Sequence, residues 1–250
     1  MTSHPRRESI ILPVLLATGY TAMLLAEPFW EKILRMLFPS RAQVVYERSS
    51  MITLAWEHLV LVLVSSLLAT ILGVIIGILI TRKSGRDFIP VVDDITSIGQ
   101  TFPPVAVLAL AVPSLGFGFQ PALFALFIYG LMPVLRNTVT GLESVSPDIL
   151  DAAAGMGMKP VQSLLKVELP LAVPVIMGGI RTSAVISVGT ATIGATIGAG
   201  GLGAPIISGL ISQNPAIVLQ GAISAAFFAV VLDSILKKIE SMLSGPRDAL

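Results

Sequence analysis

Asp151-Ala152-Ala153-Ala154-Gly155-Met156-Gly157, followed after nine residues by Val167-Glu168-Leu169-Pro170, is the stretch on which the reading of this chain turns. It lies in a charged, glycine-bearing island between two long apolar segments. A chain that only had to reverse direction at a membrane surface could do so in a handful of polar residues. This island carries helix punctuation instead. Ser146-Pro147-Asp148 reads as a helix start, with Ser as N-cap, Pro at the first helical position and an acid in the first turn. Gly155 and Gly157 end that helix, because glycine accepts the left-handed geometry of a helix C-terminus. Lys159-Pro160 opens a second short helix through Lys166, and Pro170 and Pro174 set off the apolar segment beyond. The product is two short helices in an L, with Ala152 and Ala153 as a small-residue face flanked by Asp148 and Asp151. Such a face suits a cleft on another protein. An ordinary loop held by the chain's own helices fits the same spacing equally well.

The flanking segments identify the solvent. The chain is 54% hydrophobic and 12% charged, against about 25% charged residues in a soluble domain. Ile95 to Leu135 contains no Asp, Glu, Lys or Arg, and neither does Thr182 to Leu232. A bilayer-spanning helix needs about 20 apolar residues, so each charge-free stretch has room for two helices and a turn. Six spans result, at about 9–26, 58–81, 95–115, 121–136, 171–197 and 216–236, the third and fourth divided at 116–121. They are helical because lipid offers no partner for backbone groups. The first follows Arg6-Arg7 but lacks a small-residue cleavage site downstream, and is read as a retained helix. The expected fold is all-α, a single integral membrane domain over 1–250 with a cytoplasmic loop at 137–170. In the connection 27–57, Phe29, Trp30, Ile33, Leu34 and Leu37 recur at helical spacing, as in an amphipathic helix at the outer interface or a docking surface for an external partner.

Basic residues orient the spans. With the N-terminus inside, Arg6, Arg7, Arg82, Lys83, Arg86, Arg136, Lys159, Lys166, Lys237, Lys238 and Arg247 fall in the cytoplasm, and only Lys32, Arg35, Arg41 and Arg48 fall outside. Both termini and the island are therefore expected to be cytoplasmic. A net charge of +1 gives no argument for nucleic acid, and the absence of cysteine excludes disulfides and thiolate metal sites. His4 and His58 have no companions at metal-like spacing. There is no Gly-x4-Gly-Lys-Ser/Thr phosphate loop and no catalytic carboxylate pair or Ser-His-Asp set.

Polar residues within the spans are the candidates for a solute path, since an unsatisfied polar group in hydrocarbon is costly. Gln100 and Thr101 stand beside Pro103-Pro104, which should break or kink the third span and expose carbonyls. Thr190, Thr192 and Thr196 lie on the fifth, where their hydroxyls could equally bond their own helix. Gly73-x3-Gly77 and Gly194-x3-Gly198 permit close helix contact, within the chain or against a second copy. Gly198 to Gly203 reads as a turn, or a gate, at the outer mouth. The Trp and Tyr residues do not cluster in sequence as an aromatic cage would require.

The island is similar to the EAA motif of ABC-importer permeases: acid-Ala-Ala, three residues, Gly, nine residues, Ile, one residue, Leu-Pro. Here Asp151 replaces Glu and Val167 replaces Ile. Gly99-Gln-Thr-Phe-Pro-Pro-Val-Ala106 and Gly189 to Gly203 resemble segments of the osmoprotectant permeases for glycine betaine, carnitine and choline. The resemblance implies the type I importer permease fold, with a coupling helix that docks in a groove of a separate ATPase. It assigns that role to Asp148, Asp151, Ala152, Ala153, Gly155, Gly157, Leu169 and Pro170. It further implies an inner-membrane location, no cofactor in this chain (ATP and Mg sit on the ATPase), an external substrate-binding protein, and a second permease subunit, identical or related. Alternatives are a permease for amino acids or another small solute, an ion-driven secondary transporter, and a non-transporting scaffold.

Overall fold

The structure, a computed structural model, describes residues 10–243, so His4, Arg6, Arg7 and Arg247 lie outside the described residues. Every regular element among the described residues is a helix: α1 (Ile11–Leu25), α2 (Glu27–Leu37), α3 (Met51–Thr81), α4 (Ile89–Thr101), α5 (Pro104–Leu115), α6 (Phe119–Glu143), α7 (Pro147–Gly155), α8 (Pro160–Ser163), α9 (Leu169–Gly194), α10 (Gly203–Ile211) and α11 (Pro215–Leu243). Four helical runs are long and apolar enough to cross a membrane: Met51–Thr81, Phe119–Glu143, Pro160–Ile197 and Pro215–Leu243. Two bent pairs, α1 with α2 at 75° and Arg86–Gly99 with α5 at 95°, bring the number to six if each counts as one span.

The second bend follows from its prolines. A residue before proline is pushed out of the helical region by the proline ring. Phe102 and Pro103 both precede a proline, and both are extended, with ψ 131° and ψ 133°. Pro104 then starts α5, where its missing amide is not needed. The Phe102 carbonyl, left without a helical partner, accepts the Tyr129 hydroxyl of α6.

The centre of the bundle is α6, held between α3 and α9 by small residues. A Cβ on Gly73 would lie 2.8 Å from Val134 Cγ1, and one on Gly77 would lie 2.6 Å from Thr138 Cγ2. On the other side, a Cβ on Gly179 would stand 2.7 Å from the Pro133 carbonyl, and one on Gly130 would stand 2.6 Å from Ser183 Oγ. The Gly73/Gly77 pair thus serves packing inside the chain. Around this core, Tyr20 of α1 meets Phe227 edge-on at 5.4 Å, and His58 meets Phe228 in the same way at 5.4 Å. In α2, Trp30 and Leu34 are buried with Val44 and Ala216, while Phe29, Met36 and Leu37 remain exposed.

Several elements depart from the expected boundaries: α3 begins at Met51 rather than at 58, and α11 runs to Leu243 rather than 236. α6 continues to Glu143, well past 136. Residues 160–197 form one helical run rather than a short helix and a separate span. The segment 198–215, expected as a loop, contains α10, which packs so tightly on α11 that a Cβ on Gly209 would lie 2.7 Å from Val218 Cγ2.

The packing ranks two substitutions. Gly77→Ala is expected to destabilise the chain by about 1–3 kcal/mol through overpacking against Thr138. Gly189→Ala meets open space and should be neutral or stabilising by up to about 1 kcal/mol, as alanine is the better helix former. Thermal unfolding in detergent distinguishes them, and equal midpoints would contradict the internal role of Gly77.

Candidate functional site

The island begins at α7. Ser146 takes the extended N-cap backbone, φ −57° and ψ 135°, and its carbonyl accepts the Ile149 amide at 3.1 Å, but its hydroxyl makes no capping bond. The end of α7 is fully built. The Gly157 amide bonds the Ala154 carbonyl at 2.9 Å and the Met158 amide bonds the Ala153 carbonyl at 3.1 Å, the paired 5→2 and 6→1 bonds of a Schellman cap. Gly157 supplies the left-handed residue, φ +78°, whereas Gly155 is an ordinary last residue of the helix. The two glycines that look alike in sequence therefore do different work.

The faces of α7 also separate. Asp148, Asp151, Ala152, Ala154, Gly155, Met156 and Gly157 are exposed, and Ala153 is 1% exposed. Ala153 is turned into the chain and anchors α7, so Ala152 alone of the pair lies on the outer face.

Beyond Gly157, the Lys159 amide is capped by Gln162 Oε1 at 2.9 Å, and α8 starts at Pro160. Leu164–Glu168 is a π turn whose wider ring ends with the Leu169 amide on the Leu164 carbonyl. Pro170 and Pro174 have no amide to give and would each leave a carbonyl one turn back unpaired. They nevertheless fall inside the continuous run, Pro170 in the first turn of α9 and Pro174 within it. The π turn leads from α8 directly into α9, so the second helix of the island and α9 form one run, Pro160–Ile197. Leu169 and Pro170 are the first residues of that helix.

The remaining site residues lie elsewhere. Glu168 meets Arg82 at the end of α3, and Gly201, beyond α9, meets Glu57 near its start. The island and the glycine loop thus occupy opposite ends of the bundle. Thr190 is buried in the last turns of α9, Thr192 is half-buried and Thr196 exposed. The Thr192 hydroxyl bonds the Gly189 carbonyl at 2.6 Å, Thr196 bonds Ile193 at 2.7 Å, and Thr101 bonds Ile98 at 2.7 Å. Each hydroxyl is satisfied by its own helix. Pro103 and Pro104 sit at the break between α4 and α5; the side chain of Gln100 lies outside the described residues. Gly118, just past α5, donates its amide to the Ile197 carbonyl at 2.7 Å, so about 18 Å of helix separates the break from the glycine loop.

One charged cluster escaped the reading of the sequence. Arg181 Nε bonds Asp233 Oδ1 at 3.0 Å, and its Nη1 bonds Glu240 Oε2 at 3.0 Å. Arg181 and Asp233 line an open cleft of about 440 Å³ with Gly178, Thr182, Val185 and Ile186. The partners are 52 and 59 residues from Arg181, and nothing in the local sequence pairs them. An arginine in an otherwise charge-free helix is the one available signal, since a charge there calls for a partner.

The two glycines of α7 give a direct test. Gly157→Ala places a side chain in the left-handed region at a cost of about 1–2 kcal/mol. It should hasten proteolytic cleavage within 147–170 in detergent, while Gly155→Ala should leave the rate unchanged or lower it.

Comparison with known proteins accounts for this arrangement. The model of the binding-protein-dependent transport system inner membrane component matches residues 69–244. The choline transport system permease protein OpuBB of Bacillus subtilis is 40% identical over 190 residues, covering 76% of this chain and 86% of that protein. The glycine betaine/carnitine/choline transport system permease protein OpuCB of the same organism is 40% identical over 185 residues, covering 74% and 84%. An inward-facing structure of the MetNI methionine ABC transporter superposes with a TM-score of 0.69 at 22% identity, over 77% of this chain and 95% of that one; at that identity it shows the fold. The family match takes in both the island and the glycine loop, and the chain accordingly belongs to the binding-protein-dependent transport system inner membrane components, as the permease subunit of an ABC importer whose ATPase is a separate subunit.

Proposed function

We propose that this permease carries a compatible solute of the quaternary ammonium class, such as glycine betaine, choline or carnitine, across the bacterial inner membrane. The observation that carries the reading is the 40% identity, over most of both chains, to permeases named for those solutes. The Trp and Tyr side chains support a division of labour. Tyr20 and Trp30 are buried in packing, Tyr129 serves the α4–α5 break, and Trp56 is 64% exposed at the start of α3. They do not converge on a cage among the described residues, which leaves selective capture to the binding protein that the family employs.

In this reading the exposed face of α7 seats in a groove of the ATPase, which holds the ATP and Mg. Ala152 permits close approach, Asp148 and Asp151 flank it, and Gly157 sets the exit angle. The island end is cytoplasmic, as are both termini, in keeping with the basic residues at that end. A second permease subunit, a copy or a related chain, completes the path, which Thr101, Pro103, Pro104, Thr190, Thr192 and Thr196 approach with Gln100.

Reconstitution of the chain with its ATPase and binding protein in vesicles tests both parts. ATP-dependent uptake of glycine betaine, choline or carnitine is expected, and uptake driven by a proton or sodium gradient without ATP would overturn the reading. Ala152→Trp should abolish uptake while membrane insertion persists; normal uptake by that variant, or by Gly157→Trp, would remove α7 from the coupling role.

A further inference from the structure

Two polar contacts tie α3 to the α9 run, one at each end of both helices. At the island end, Arg82 Nη2 meets Glu168 Oε2 at 2.7 Å. The arginine is fixed by two further bonds, from Nε to the Ile78 carbonyl at 3.3 Å and from Nη2 to the Thr81 hydroxyl at 3.1 Å. Glu168 is 7% exposed, and its other oxygen accepts the Ser163 hydroxyl of α8 at 3.2 Å. One buried carboxylate therefore joins the island, the π turn and the end of α3. At the opposite end, the Gly201 amide donates to Glu57 Oε2 at 2.9 Å. The glycine loop has no room to spare there. A Cβ on Gly201 would lie 3.0 Å from His58 Nδ1, and one on Gly200 would run into the Glu57 carboxylate. Gly198, Gly200 and Gly201 all have positive φ, which lets the loop fold onto the start of α3.

The small-residue faces that hold α3 and α9 against α6 resist separation but not sliding, because ridges of packed helices can shear past one another. The end contacts resist sliding. Breaking the inner one strands a buried carboxylate, a far larger penalty than an exposed ion pair carries. We propose that Arg82, Glu168 and Glu57 are positioning residues that make α3 and α9 a single lever, so that a displacement of the island appears at the glycine loop on the opposite face. The inference rests on the reading of α7 as the ATPase-docking helix.

The test is the amount of solute moved per ATP hydrolysed by the reconstituted complex. Glu168→Gln and Arg82→Gln should each lower that ratio by about fivefold or more, with ATP hydrolysis and complex assembly retained, and the exchange Arg82→Glu/Glu168→Arg should restore most of it. Glu57→Gln keeps an acceptor for Gly201 and should keep the ratio, whereas Glu57→Leu should lose it. The chain has no cysteine, so Arg82→Cys/Glu168→Cys can be joined selectively by a short thiol-to-thiol reagent. The ratio should be low before cross-linking and rise after it. An unchanged ratio in Glu168→Gln and Glu57→Leu, parallel loss of hydrolysis and transport, or no rise on cross-linking would each overturn the lever. ATP-dependent uptake by the unmodified chain in the same vesicles tests the permease reading separately.

Discussion

The contact on which the rest depends is the close approach of α6 to α3 and α9. Lipid tails are as apolar as leucine, so helices in a bilayer gain little from burying apolar side chains against each other; association comes from tight packing and polar contacts. Gly73 and Gly77 receive Val134 and Thr138, and Gly179 and Gly130 bring the other face together at the Pro133 carbonyl and Ser183. With that triple layer fixed, the ends of α3 and α9 fall beside each other, and the island and the glycine loop are assigned to opposite faces.

Several polar groups within the bundle find their partners inside the chain. The threonines bond their own helix, the Phe102 carbonyl at the proline break is taken by Tyr129, and Arg181 is matched by Asp233 and Glu240. None of these needs water. Not every buried group is matched in this way: the hydroxyls of Tyr20, Ser183 and Ser187 have no hydrogen-bond partner among the described residues. On α7, Asp148 and Asp151 are exposed, on a surface a partner chain can reach.

Much of the helical content was legible from length and charge alone. A charge-free stretch of the right length in hydrocarbon has no stable alternative to a helix. The motif at Asp151–Pro170 was legible too, because its spacing is a local property of one chain segment. Local signals failed where two segments compete. Ser146 had the right residue type for a cap, yet its hydroxyl does not cap α7. Pro170 and Pro174 read as a boundary, yet both lie inside one helical run from Pro160 to Ile197. The stretch 198–215 read as a loop, yet it contains α10, which packs closely on α11 at Gly209.

The sequence by itself determined the solvent, the long apolar helices, the break at Pro103-Pro104 and a glycine end to the helix that starts at Pro147, since each follows from backbone sterics or from transfer out of water and needs no distant neighbour. Tertiary structure alone decided that Ala153 faces inward while Ala152 faces out, that Gly73 and Gly77 pack within the chain, and that Arg82 finds Glu168 across 86 residues. Those outcomes depend on which helix faces meet, and a side chain's partner across the bundle leaves no trace in the residues beside it.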